Sequence, residues 1–179
     1  HLYGQSANMD EIMDICNKVV NDIPVEIKEE KAAEFNYIED VKNELIEYAK
    51  ANNVSNVEFL DPVLKDNMDN VLQLLDICFI SLKKQNLFNY GVSPNKLFDY
   101  MMAARPVIYA VEASNDPVKD CGCGISVPAE NPKAVVKAVK KIKKLSDEEK
   151  VEMGKRGREY VLENHMYHPL AERFLNAIK

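Results

Sequence analysis

Short apolar runs alternate with helical stretches along the chain, and this alternation limits the fold more strongly than any other feature. Short runs bounded by turn residues are typical of strands in a parallel sheet whose crossover connections are helices. The candidate strands are residues 1–3, 34–38, 56–60, 76–81, 106–111 and 124–127. The pattern therefore predicts an α/β fold with a parallel sheet of about six strands.

Two runs compete for the second strand. Residues 24–28 and 34–38 are both short and apolar. We favour Glu34–Ile38 because residues 41–49 follow at once with apolar positions at helical spacing. Residues 21–33 then form a charged loop.

Helix starts are marked by capping residues. Asn8 can cap a first helix, and Ser146 opens a Ser-Asp-Glu-Glu sequence that fits a capping box. Two more helices are predicted over residues 133–145 and from about 169 to 178.

At 179 residues, 46% of them hydrophobic, the chain suits a single domain that spans residues 1–179 and closes with helices over about 146–178.

The charge balance excludes one large class of function. A formal net charge of −6 and a pI near 5.2 argue against nucleic acid as the main partner, because phosphate backbones are bound by basic surfaces. No apolar run approaches the ~20 residues that span a bilayer, and no signal peptide is recognisable. We expect a cytoplasmic location and only a local anion site.

A lysine-rich stretch raises a second option for location. Residues 133–144 carry six lysines, and a basic amphipathic helix can lie on an anionic membrane. Its apolar positions are mostly small Ala and Val, which favours the solvated face of a helix packed on the sheet. Peripheral association with the inner face of a membrane is kept as the alternative.

The four cysteines do not show the spacing of a zinc site or of a disulfide framework. Cys16, Cys78, Cys121 and Cys123 are interpreted as reduced thiols. Cys121-Gly-Cys invites a metal hypothesis, but no His or second Cys pair lies at ligand spacing. We expect no metal and no cofactor.

The chemistry is best sought in residues 90–110, which combine a tight turn, an amphipathic helix and an apolar run. Gly91 permits a tight turn, Ser93 can cap the helix, and Pro94 suits the first helical position. The free amides of a helix N-terminus form a ready site for phosphate, and Lys96 would add a full charge.

Asp99 lies about one turn further along the same side of this helix. A carboxylate at that distance from a phosphate site can accept hydrogen bonds from a ribose diol. The competing interpretation is a surface ion pair between Lys96 and Asp99, which would contribute little. Spacing by itself favours the ion pair.

Three longer stretches carry a family resemblance: YGVSPNKLFDYMMAARPVI, SNDPVKDCGCGISVPAENPKAV and MGKRGREYVLENHMYHPLAERFL. Together they closely resemble the nucleotide-sugar-binding C-terminal half of retaining GT-B glycosyltransferases. The similarity is to glycosyltransferase family four, in the subgroup of N-acetylfucosamine-type transferases that build bacterial capsule and O-antigen polysaccharides. The resemblance implies a Rossmann-like domain, with helices on both faces of its sheet, that forms one half of a GT-B fold.

The resemblance also assigns roles to residues. Asp99 falls at the position of the acid that binds the donor ribose, and the amides of Ser93, Pro94, Asn95 and Lys96 at the diphosphate. Lys96 would stabilise the leaving group and so act in catalysis. Weaker assignments go to Asn115 and Asp116, in a loop facing the donor sugar or the acceptor, and to Gly4, in the loop after the first strand. The donor is expected to be a UDP-sugar.

The sequence departs from the family pattern at three places. Glu39-Asp40-Val41 replaces a Gly-Asp-Gly loop, and its carboxylates would repel a phosphate. Ala104 stands where a helix-ending glycine is usual. The glycine-rich loop after the first strand is shortened to YGQSAN.

We therefore predict the donor-binding domain of a retaining, metal-independent glycosyltransferase. Its N-terminal acceptor domain, or a partner subunit in that role, lies outside these residues, so the isolated domain is expected to be inactive. One alternative is a non-catalytic interaction module, favoured by the altered loop at Glu39–Val41. The other is half of a nucleotide-sugar epimerase, which would need a set of acid and base carboxylates that the sequence does not offer.

Overall fold

A parallel three-stranded sheet forms the centre of the part of the chain that the computed structural model describes, residues 31–61 and 63–178. Strands β1 (Cys78–Ser81), β2 (Val107–Ala110) and β3 (Gly124–Val127) lie in the order β1-β2-β3. Cys78 is in register with Val107, and Val107 with Gly124. The predicted α/β class is confirmed, as are the strands at 76–81, 106–111 and 124–127, although three strands are present in these residues and not six.

Seven α-helices surround or precede this sheet in the described residues. They are α1 (Lys31–Ala51), α2 (Met68–Gln73), α3 (Asn95–Met102), α4 (Pro117–Cys121), α5 (Pro132–Lys143), α6 (Asp147–Asn164) and α7 (Tyr167–Ala177). Two 3₁₀ turns cover Lys65–Asn67 and Asn86–Tyr90. The predicted capping box of α6 is confirmed, since Glu149 N donates to Ser146 Oγ and Ser146 N donates to the Glu149 carboxylate.

The core lies on both faces of β2, whose four residues are all buried. Tyr109 is in one apolar cluster with Leu97 and Met101 of α3. Ile108 points the other way and packs with Ile142 of α5. Helices therefore cover both faces of the sheet, as adjacent residues of a strand face opposite sides.

The chain divides after residue 62 into two compact units. In the described part of the first unit, Ala49 of α1 and Val54 are buried. Leu45, Val57 and Phe59 pack around them. The second unit contains the sheet and the helices from α2 onward.

The predicted strand at Glu34–Ile38 is wrong, because these residues belong to α1. The apolar residues Phe35, Ile38, Val41 and Leu45 follow one another at intervals of three or four, so the helical repeat extends back through the proposed strand. A run of five residues was too short to show this period. Residues 31–33 are likewise helical and not part of a loop.

This correction also removes the loop assigned to Glu39–Val41. The three residues lie inside α1 and not in a turn between a strand and a helix. The altered loop was one of the arguments for a non-catalytic module, and it has no counterpart in the structure.

The predicted strand at residues 56–60 is also wrong, since this stretch pairs with no strand in the described residues. Val57 and Phe59 instead cover the apolar side of α1 near Ala49. Alternating apolar residues need one buried face, and a helix provides it here in place of a sheet. The first predicted strand, Gly4 and the helix after Asn8 lie outside the described residues.

Candidate functional site

The loop that follows β2 is hydrogen-bonded to the loop that follows β1 and ends in the turn before α3. The Asn115 side chain binds the backbone of Val92 twice: Oδ1 accepts from Val92 N at 2.8 Å, and Nδ2 donates to Val92 O at 2.9 Å. Ser114 N also donates to Phe88 O at 3.0 Å. Because both loops follow the carboxyl ends of parallel strands, these bonds fix the α3 turn at the edge where open α/β sheets bind ligands.

Gly91 makes this close approach possible. Its φ of +98° is accessible to glycine and strained for other residues. A Cβ at this position would lie 3.2 Å from Asn115 Oδ1. The predicted role of Gly91 in a tight turn is therefore consistent with the observed geometry, whereas Asn115 is engaged with the backbone and does not point freely into a cleft.

Helix α3 begins without a side-chain cap. Pro94 is the N-cap residue, and no side chain accepts a hydrogen bond from the first turn. The prediction that Ser93 caps the helix with Pro94 at the first helical position is thus wrong by one residue. Since proline offers no side-chain acceptor, the amides at Asn95 and Lys96 have no partner among the described residues and can meet an anion.

Lys96 and Asp99 are both exposed on this helix. Neither forms a hydrogen bond or ion pair with a described residue, and they do not pair with each other. Leu97 and Met101 are completely buried on the opposite side and anchor the helix to the core. The surface ion pair suggested by spacing is therefore not formed, and both charges are available to a ligand.

Asp116 has a structural role that sequence reasoning did not foresee. It is the N-cap of α4, where Oδ1 accepts from Lys119 N at 3.0 Å and from the Ser126 hydroxyl at 2.8 Å. These bonds tie α4 to β3. The sequence predicted that Asn115 and Asp116 face the donor sugar or the acceptor. In the structure, both residues bind and position the backbone.

An open cavity of about 880 Å³ lies at the same edge of the sheet. Its wall includes Ser114, Asp116 and Lys119 from the region after β2, and Lys84 after β1. Of the predicted site residues that the structure describes, Asp116 is the one in this wall. The cavity and the α3 N-terminus are therefore separate parts of the sheet edge.

Apart from Asp116, the charged residues of the cavity wall were missed by sequence reasoning. Lys84 pairs with Glu112, and this hydrogen bond and charge raise the pKa of the lysine. Lys119 and Lys141 supply two further positive side chains. Their places in the sequence could have revealed Lys84 and Glu112, because these residues come shortly after the carboxyl ends of β1 and β2.

The end of α3 is shaped by an unusual alanine. Ala104 has a φ of +52°, the left-handed conformation in which glycine is favoured. A Cβ on Gly154 of α6 would lie 1.9 Å from Ala104 O, so the two backbones are in direct contact. The position where relatives usually have glycine is therefore left-handed here too, in spite of its side chain.

The described residues contain neither a candidate metal-ion cluster nor a membrane-spanning helix. No group of three or more His, Cys, Asp and Glu side chains is arranged to hold a metal ion. None of the helices in residues 31–61 and 63–178 combines the length and the hydropathy needed to cross a bilayer.

The fold and the sheet edge define an α/β domain with helices on both faces of a parallel sheet. The family model described as glycosyl transferases group 1 matches residues 9–144, which is more than half of the chain. The chain belongs to the group 1 glycosyltransferases.

A solved structure gives the same fold. Sucrose-phosphate synthase from Thermosynechococcus elongatus matches with a TM-score of 0.59 and 18% sequence identity. The match covers 96% of this chain but 41% of that one, so the chain spans less than half the length of that protein. No curated protein sequence matches the chain significantly.

Proposed function

We propose that this domain binds the nucleotide-sugar donor of a glycosyltransferase at the N-terminus of α3. The diphosphate would contact the amides of Asn95 and Lys96 and the Lys96 ammonium group. The ribose would donate hydrogen bonds to Asp99. One observation carries the proposal: an uncapped helix N-terminus with an unpaired cation and an unpaired carboxylate in the described structure, on a helix whose other side is buried.

The supports of this helix favour a binding role. A ligand site requires groups that do not move when the ligand arrives. Asn115 fixes the backbone before α3, and the buried side chains of Leu97 and Met101 fix the helix itself. The donor groups can then be preorganised although Lys96 and Asp99 are exposed.

The same geometry suggests how the domain would promote transfer. When the bond from sugar to diphosphate breaks, negative charge develops on the departing nucleoside diphosphate. A helix N-terminus and an ammonium group at that place stabilise the charge as it forms. Lys96 is therefore proposed as the catalytic residue of this domain, acting on the leaving group without a metal.

The finer assignments rest on the sequence resemblance. We propose a UDP-sugar as donor, retention of anomeric configuration, and membership of the family four subgroup that builds capsule and O-antigen polysaccharides. The acceptor would be bound by a separate N-terminal domain or subunit. Peripheral membrane association through the lysines of α5 is kept as an alternative, since most of them lie on its exposed side.

The location of the site can be tested by nuclear magnetic resonance with ¹⁵N-labelled protein. Titration with UDP should shift the backbone amides of Asn95, Lys96 and Asp99, while the amide of Lys140 on the far side of α5 serves as the unaffected reference. Parallel titrations with GDP and ADP identify the base. Absence of shifts at residues 95–99 with every nucleotide would reject the proposed site and favour a non-catalytic module.

A further inference from the structure

Two cysteines lie on either side of a left-handed glycine where α4 joins β3. Cys121 is the last residue of α4, and Cys123 immediately precedes Gly124 of β3. Gly122 between them has a φ of +67°. This conformation closes the chain into a tight turn, so that Cys121 Sγ and Cys123 N both lie near Val118 O, at 4.0 and 3.2 Å.

The two thiols differ in access to solvent. Cys123 is completely buried, whereas Cys121 is half-buried and its Sγ lies 4.0 Å from Val118 O. A reagent from solvent can therefore reach Cys121 first. Cys123 is held directly behind it.

Arg156 of α6 fixes the turn between the cysteines. Its Nη2 and Nε donate to Gly122 O at 2.8 and 3.1 Å. The neighbouring Cys123 thiol, together with the Arg156 charge, lowers the pKa of Cys121 to about 7, while the neighbouring Cys121 thiol and burial raise the pKa of Cys123. Asp116, the N-cap residue of α4, and Tyr160 on α6 are the other ionisable groups near the pair.

We propose that Cys121 and Cys123 form a reversible redox site, in which Cys121 reacts with a hydroperoxide and Cys123 resolves the product as an intramolecular disulfide. This inference is independent of donor binding. A redox cysteine needs thiolate character, access to solvent and a neighbouring thiol, and this turn combines the three.

The chemistry is balanced by one hydroperoxide. The Cys121 thiolate attacks a peroxide oxygen, so that an S–O bond forms, the O–O bond breaks, and the leaving oxygen takes a proton to give water or an alcohol. Cys123 then attacks the Cys121 sulfur, the S–O bond breaks, and the thiol proton leaves with the hydroxide as water. Two thiols are oxidised and one peroxide is reduced, and a dithiol reverses the reaction.

Cys78 provides an internal comparison. It is also buried, and burial raises its pKa to about 11. It lies on β1, which β2 separates from β3 and the Cys121–Cys123 turn. Cys78 should therefore stay reduced at a peroxide concentration that oxidises the pair.

The test is peptide mapping of the whole chain after a limited dose of hydrogen peroxide. Residual peroxide is removed, the protein is denatured in N-ethylmaleimide to label every free thiol, and trypsin then releases residues 120–133 with both cysteines. The proposal predicts that this peptide is unlabelled and lighter by two hydrogen atoms, while Cys78 is labelled. Treatment with dithiothreitol before labelling should reduce the disulfide, so that both cysteines are labelled by N-ethylmaleimide.

Two serine variants separate the roles. In Cys123→Ser, the sulfenic acid on Cys121 should persist and be trapped by dimedone. In Cys121→Ser, Cys123 should stay reduced. The proposal would be overturned if residues 120–133 of wild-type protein were fully labelled at a dose that oxidises Cys78. It would also be overturned if Cys123 were oxidised equally in wild-type protein and in Cys121→Ser. The wild-type measurement is decisive even if a variant fails to fold.

Discussion

At the scale of single residues, Lys96 and Asp99 would determine what the proposed α3 site recognises. Both are exposed, and neither has a partner among the described side chains. An ammonium group beside free helix amides suits a phosphate, and a carboxylate one turn further suits hydroxyl groups. A nucleoside diphosphate carries both kinds of group.

Lys96→Ala should weaken UDP binding much more than uridine binding, because only UDP carries the charge that the lysine meets. Calorimetric titration of both ligands at low ionic strength measures the difference. Lys140→Ala is the matched control, since Lys140 is an exposed lysine of α5 outside the cavity wall. Equal losses for UDP and uridine would mean that Lys96 does not contact the diphosphate.

At the scale of secondary structure elements, α6 sets the position of α3. Gly154 and Gly157 of α6 are buried where the helix meets the end of α3. A Cβ on Gly157 would lie 2.9 Å from Cys123 Cβ and 3.4 Å from Met101 Cβ. The two glycines allow the helix backbones to approach closely and keep α3 packed on the core.

Gly154→Ala should lower the free energy of unfolding by about 1–3 kcal/mol, the usual cost of overpacking a core. The added Cβ would meet the backbone of Ala104, which cannot rotate away as a side chain can. Urea denaturation measures the loss. Lys155→Ala, at the exposed neighbouring position, should change stability by less than about 0.5 kcal/mol, and a similarly small effect of Gly154→Ala would contradict the close contact.

The same scale shows which elements the sequence could predict. The three strands of the second unit were recognisable because each is a short apolar run closed by turn residues, and α6 because Ser146 and Glu149 form a complete capping box. Phe35 and Ile38 misled the assignment because a five-residue window cannot distinguish a strand from part of a helix. The bonds from Asn115 to Val92 link positions 23 residues apart, which no local pattern reveals.

At the scale of the whole molecule, a single helix connects the family, the fold and the proposed chemistry. The proposal takes a sugar donor from family membership, and among the described residues the α3 N-terminus combines free amides with Lys96 and Asp99 at the sheet edge. The 880 Å³ cavity beside it, lined by Ser114 and Lys119, was not predictable, because its walls come from segments distant in sequence. The site residues that the sequence placed on α3 remain the prediction to be tested.

Calorimetric titration of wild-type protein and of Asp99→Asn with UDP, GDP and ADP tests the central claim most directly. We expect one nucleotide to bind wild-type protein with a stoichiometry of one. Asp99→Asn should weaken that binding by about 10- to 150-fold, which corresponds to ~1.5–3 kcal/mol for hydrogen bonds to a charged group. Glu152→Gln on α6 should bind as wild type does, and both variants should keep the wild-type melting temperature. Unchanged affinity in a folded Asp99→Asn protein, or no binding of any nucleotide to wild-type protein, would contradict donor binding at α3.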